Sequence, residues 1–253
     1  MRPRNILPLA VFGLTASAVA QDGFPISTDR PSFSDGTGII PKGRWQLETG
    51  FTFNKDGEAE LQTIGEVLLR LPLQERLELR FSNLGLGRAN GVGGGGEGFL
   101  DPVAGVKYRF QTGVTGKKPD LAFVAQATIP AGSPDFRVRR SQPTLKLAGY
   151  HQLDAANGAG WNVVWSNLGP RGATFDQWAI SGYWARTLDA KTASFVELYH
   201  LMPASKGGPN STFVDAGVTY LLDKATQIDL RIGSGLDQRR DGWFIGAGVA
   251  FRF

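Results

Sequence analysis

From residue 44 onward, polar and apolar side chains alternate with a period of two in one stretch of about ten residues after another, separated by turn-forming residues. The stretches are 44–53, 60–71, 76–84, 99–110, 120–129, 144–153, 160–168, 175–188, 192–202, 212–222, 226–235 and 243–253. The last shows the pattern plainly. Trp243, Ile245, Ala247, Val249, Phe251 and Phe253 share one face, and Phe244, Gly246, Gly248, Ala250 and Arg252 share the other. Successive side chains of a strand point to opposite faces, so each stretch reads as a strand with one apolar and one polar surface.

A soluble β-sandwich also alternates, and two features decide against it. Connections alternate between short (72–75, 111–119, 154–159, 189–191, 223–225) and longer, glycine-richer ones (85–98, 131–143, 203–211). That is expected of a membrane barrel with turns at one end and loops at the other. Aromatic residues of the apolar parity also fall into two groups. Trp45, Phe110, Trp161, Trp184, Tyr220 and Phe253 lie near one set of strand ends; Phe53, Phe81, Trp165, Trp178 and Trp243 lie near the other. Amphipathic rings prefer headgroup depth, so two belts are expected. Together these predict an all-β, transmembrane antiparallel barrel of about 12 strands over residues 44–253, in a bacterial outer membrane, with both termini periplasmic. No later segment holds eighteen consecutive apolar residues, which removes a helical membrane protein.

The first twenty residues stand apart. Arg2 and Arg4 precede an apolar run, and Ala18-Val19-Ala20 is a small-x-small cleavage pattern, so residues 1–20 read as a signal peptide. There is no cysteine to supply disulfides, so stability must come from a large core or a closed barrel. Residues 21–43 are rich in proline and glycine. They are expected to fold into the lumen as a plug, with Asp29 and Arg30 pairing with luminal charges, or to remain a periplasmic tether. Without Arg2 and Arg4 the 27 basic residues fall to 25 against 23 acidic ones, a balance that argues against nucleic-acid binding.

The inward-facing parity carries Glu48, Glu66, Arg70, Glu78, Arg80, Lys107, Arg109, Lys146, Glu197, Asp215, Asp229 and Arg231. These line the expected lumen, either pairing to brace it or setting solute preference. Around the 72–75 turn, Arg70 is expected to face Glu78, or Glu66 to face Arg80, depending on register. Asp215 and Arg231 are expected to pair across a later hairpin. Tyr150, Tyr183, Phe195 and Tyr199 share the inward parity and either fill space or contact an aromatic solute. Arg137, Arg139, Arg140, Arg171, Arg239 and Arg240 fall in external loops, where arginine suits the phosphates of lipopolysaccharide. Phe253 is the expected terminal signal for the barrel assembly machinery.

Chemistry is poorly supplied. The two histidines, His151 and His200, fall on the lipid parity at opposite ends of the membrane band, too far apart for one site. No serine lies two residues after either. Gly91-Val92-Gly93-Gly94-Gly95-Gly96 lacks the Lys-Ser/Thr ending of a phosphate loop and reads as a flexible external loop. No metal, cofactor or catalytic residue is expected. An outer-membrane lipid or ester hydrolase and a plugged structural barrel stand as alternatives.

Three motifs carry a resemblance to a family: Thr28-Asp29-Arg30-Pro31; Pro41-Lys42-Gly43 followed by Gln46-Leu47-Glu48-x-Gly50; and Asp101-Pro102-Val103-Ala104-Gly105-Val106-Lys107-Tyr108. Over nearly all of the mature chain, the sequence resembles the outer-membrane transporter family labelled as meta-pathway phenol-degradation proteins. That resemblance implies a barrel passing small, aromatic or otherwise hydrophobic compounds by passive or facilitated diffusion.

Overall fold

The computed structural model describes residues 25–91, 95–237 and 242–253. The expected signal peptide and its cleavage site, Arg239, Arg240 and part of the glycine run lie outside the described residues. Fourteen strands form one antiparallel sheet. They are β1 (Gln46–Asp56), β2 (Ala59–Gln74), β3 (Leu77–Asn83), β4 (Leu86–Asn90), β5 (Gly96–Phe99), β6 (Val103–Gln111), β7 (Asp120–Thr128), β8 (Pro143–Gln152), β9 (Asn157–Leu168), β10 (Phe175–Thr187), β11 (Thr192–Met202), β12 (Ser211–Leu221), β13 (Thr226–Gly235) and β14 (Trp243–Arg252).

Twelve of these close a barrel. β14 pairs back onto β1 from Gln46↔Arg252 to Lys55↔Trp243. Trp45 and Phe253 extend the seam by exchanging backbone hydrogen bonds of 3.2 and 2.9 Å, and their rings stack at 4.0 Å. Closure is obligatory in lipid, where each unpaired backbone group costs several kcal/mol.

The side chains invert the arrangement of a soluble protein. The largest fully buried ones include Arg70, Lys107, Glu48, Glu78 and Glu197, whereas Ile232 and Val196 are 58% and 57% exposed. The outward face is therefore apolar and the inward face charged, as a hydrocarbon exterior requires. Two aromatic groups flank it: Trp45, Trp161 and Trp184 near the short turns, Phe81, Trp178 and Trp243 near the loops.

The other two strands, β4 and β5, correct the reading of 85–98 as a connection without strands. β2 runs sixteen residues, pairing through its second half with β3 and through its first with β4. β5 pairs with β4, so a short hairpin prolongs the wall beyond the barrel rim. The expected strand at 99–110 is interrupted before β6. Asp101 turns its carboxylate to the amides of Ala131, Gly132 and Val138 at 2.6–2.8 Å, stapling the following loop, and Pro102 has no N–H for the ladder.

A second correction concerns β2. Gly65 sits at φ +73° in a bulge, between the pairs Gly50↔Glu66 and Phe51↔Ile64. Parity reverses there, so Thr63 and Glu66 both face inward while Ile64 is 60% exposed. No neighbour would touch a Cβ at Gly65, so substitution tests backbone strain alone. Gly65→Val should destabilise the barrel by about 1–2 kcal/mol, and Gly65→Asn by less, measured by denaturant unfolding in detergent.

Candidate functional site in the barrel lumen

The luminal wall is electrostatically two-sided. Arg70, Arg80, Lys107 and Lys146 project from β2, β3, β6 and β8, with β7 between the last two and Glu78 of β3 among the cations. Glu48, Asp229, Asp215 and Glu197 project from β1, β13, β12 and β11, with Glu66 from β2 beside them. Residues 25–43, ahead of β1, lie between the two sides and contact both. The chain enters beside the short turns, where the Ile26 amide donates to the Lys224 carbonyl at 2.8 Å, and it leaves by the same end into β1.

Asp29 and Arg30 sit at the centre of this segment. The Asp29 carboxylate accepts from Lys107 Nζ at 2.7 Å and from Arg80, with Arg70 at 3.8 Å. Burial opposes its charge, but Arg70, Lys107 and Arg80 hold its carboxyl well below the usual range. Arg30 points the opposite way. Its Nη1 donates to Glu66 at 2.6 Å, its Nε reaches Asp229 at 3.4 Å, and its Nη2 donates to the Ala247 carbonyl at 3.1 Å. The guanidinium lies over the cross-strand glycines Gly50 and Gly248, where a Cβ on either would collide with it. Glu48, fully buried, accepts the amides of Asp29 and Arg30 at 3.0 Å each.

The rest of the segment is held in the same manner. Asp35 accepts from Arg80 Nη2 at 2.7 Å and from Lys146, and its amide and carbonyl both bond the Asn162 side chain, at 3.0 and 3.1 Å. Burial would raise its carboxyl, but Lys146 and Arg80 hold it at about 2. Glu197 accepts the amides of Phe33 and Ser34 at 2.7 and 3.0 Å. Glu78 accepts the Ile40 amide at 3.1 Å, and Arg70 donates to the Gly38 and Ser27 carbonyls. Phe33 stacks on Tyr199 at 4.3 Å, and Tyr199 on Phe213 at 5.0 Å.

Of the two registers open at the 72–75 turn, the structure makes the Arg70–Glu78 contact, at 2.9 Å. It does so diagonally, because the Cα partner of Arg70 is Arg80. Glu66 goes to Arg30 instead. The expected Asp215–Arg231 pair does not form. Arg231 is opposite Gly217, reaches Thr52 at 3.4 Å and stacks on Phe244 at 5.2 Å. Asp215 is opposite Glu197, and neither of its carboxylate oxygens has a hydrogen-bond partner among the described residues. The Nε of Arg109 likewise has none. Tyr150 and Tyr183 lie parallel with centroids 6.2 Å apart, packed over Gly158 and Gly160. Arg140 bonds the carbonyls of Gly169 and Asn167 at 2.9 and 2.8 Å and so ties its own loop to the next one. His151 and His200 stand at opposite ends of the outer face, His200 bonded to Thr212 at 2.9 Å.

Sequence reasoning missed Asp35, Asn162, Ser34 and Phe33. Asp35 had a signal, a second acid six residues after Asp29 in a segment already suspected of entering the lumen. The others are uncharged and carry none.

The segment separates two cavities. One, of about 290 Å³ toward the short turns, is lined by Pro31, Tyr150, Tyr183, Phe195 and Gln227. The other, of about 170 Å³ toward the loops, is lined by Glu66, Arg80, Ser82, Gln126 and Lys146. Arg30 lines both.

A search of curated proteins finds no match in sequence. Among solved structures, an outer-membrane channel from Pseudomonas putida F1 is similar with a TM-score of 0.68 at 15% identity, over 86% of this chain and 98% of that one. The KdgM porin gives 0.53 at 11% identity, over 81% and 99%. The toluene transporter TodX of Pseudomonas putida gives 0.50 at 12% identity, over 84% and 90%. These likenesses show a shared fold. In sequence, the model of the family described as "Putative MetA-pathway of phenol degradation" matches residues 28–253, so the match includes Asp29 and Arg30 as well as the whole barrel. The chain belongs to that family.

Proposed function

We propose that the protein is an outer-membrane channel through which small solutes, aromatic or otherwise hydrophobic ones among them, cross by passive or facilitated diffusion, with residues 25–43 as its plug. The observation that carries this reading is a closed cylinder, apolar outside and polar inside, whose lumen is interrupted by a segment of its own chain and not filled by wall side chains. Twelve strands enclose more room than side chains fill, and here the surplus is taken by the segment and two cavities. The family and the shared channel fold support passage, and nothing in the reading requires catalysis. The short turns support a periplasmic location for that end and for both termini. Tyr150, Tyr183 and Phe195 give the turn-end cavity an aromatic surface on which a ring can stack. Arg30 divides the lumen, since it bounds both cavities and ties the segment to Glu66 and Asp229.

Conductance in planar bilayers and swelling of solute-loaded liposomes test the reading. Absence of passage for every small solute, in a heat-modifiable and therefore folded sample, would sink it in favour of a plugged structural barrel. Removing residues 26–42 should raise conductance several-fold. Arg30→Met leaves Glu66 and Asp229 buried without their cation. It should weaken docking of the segment by about 3–5 kcal/mol and produce frequent open events in single-channel records.

The plug's acids also set a pH dependence. Asp35 lies below its unfolded value, so its contribution is fully present above about pH 4 and is lost as pH falls through about 2. Conductance should therefore stay flat from pH 7 to about 4 and rise below it. Asp35→Asn should remove much of that rise.

A further inference from the structure

We propose that the cationic side of the lumen is a binding site for a small organic dianion, occupied at rest by the plug's own Asp29 and Asp35. The wall alone leaves this site under-neutralised. Arg70 is matched by two wall carboxylates, Glu78 at 2.9 Å and Glu48 at 3.2 Å. Arg80 meets Glu78 only at 3.3 Å and Lys107 meets it at 3.8 Å, so three cations share one acid. Among the described residues Lys146 has no wall carboxylate as an ion-pair partner; the one it meets is Asp35. The plug supplies two carboxylates to Arg80, Lys107 and Lys146, and Arg80 bridges them, with Asp29 on Nη1 and Asp35 on Nη2.

The site is buried and shaped. Lys107 is fully buried and Arg80 is 5% exposed, so an ion here interacts in a medium far less screening than water. It is also reachable. Arg80 and Lys146 line the loop-end cavity, so a solute arriving from that side meets these two cations first, at the place Asp35 holds. A ligand with two carboxylates a few bonds apart can take both places. A monocarboxylate can take one and leaves the other acid seated. Such a dianion competes directly with the plug, so its binding favours release of the segment, because the two cannot occupy Arg80 together.

Binding is measured apart from passage, so it stands or falls independently of channel activity. Calorimetry on the full chain in detergent, with succinate as probe and acetate as control, provides the test. The double variant Asp29→Asn, Asp35→Asn removes the internal competitor while keeping the side chains' size. It should bind succinate about tenfold more tightly than the unaltered protein, or better. Adding Arg80→Gln should abolish that gain, and Arg88→Gln, on an exposed ion pair with Glu97, should leave it unchanged. No gain in the double variant, or an equal gain for acetate, overturns the proposal.

The chain has no cysteine, so a single Ser32→Cys substitution reports on the plug without touching the charges. Thiol labelling of that variant should accelerate with succinate and not with neutral succinamide. An equal response to both, or none to succinate, overturns the proposal even if the double variant fails to fold.

Discussion

The bilayer's inability to hydrogen-bond is the constraint from which the rest follows. It forces β1 onto β14, and the resulting cylinder must present apolar side chains outward. With the outer parity committed to lipid, the inner parity is free to be polar, and the chain uses it for an unusual density of charge. Fully buried Arg70, Lys107, Glu48 and Glu78 would be ruinous in a soluble core unless each were matched. Here the matching is completed by a segment that is not part of the wall.

That division of labour gives the lumen its character. Cations from β2, β3, β6 and β8 face acids from β11, β12, β13 and β1. The plug answers with opposite signs in adjacent residues, sending Asp29 to one side and Arg30 to the other. The segment bends at Asp29, and from there the two neighbouring side chains leave the backbone toward opposite walls. Contacts to the plug's backbone finish the docking. Glu48, Glu78 and Glu197 accept backbone amides, so these acids read the path of the plug's main chain, and Glu197 also takes the Ser34 hydroxyl.

Most of the architecture was legible in the sequence because the lipid imposes a regular period on it. Twelve barrel strands, their order and the two aromatic bands follow from parity and turn spacing. The misses come where parity is broken or where partners are remote. The bulge at Gly65 inserts one residue and turns Thr63 inward and Ile64 outward while Glu66 keeps its inward parity, a change no alternation pattern discloses. Asp215 met Glu197 and not Arg231 because register, which sequence leaves open by two residues, put Gly217 opposite Arg231. The β4–β5 hairpin hid in glycines that read as slack loop. Asp29 and Arg30 could be assigned to luminal pairing from their charge alone, but the division of partners between opposite walls required three dimensions.

The glycines Gly50 and Gly248 give the seam a meaning beyond closure. They face each other on the first and last strands and form the bare floor on which Arg30 rests, while Ala247, on the same last strand, offers it a carbonyl. The first and last strands of the barrel thus meet at one guanidinium. Parting the first strand from the last would dissolve the cradle beneath Arg30, so the cylinder cannot unzip there and keep its plug seated.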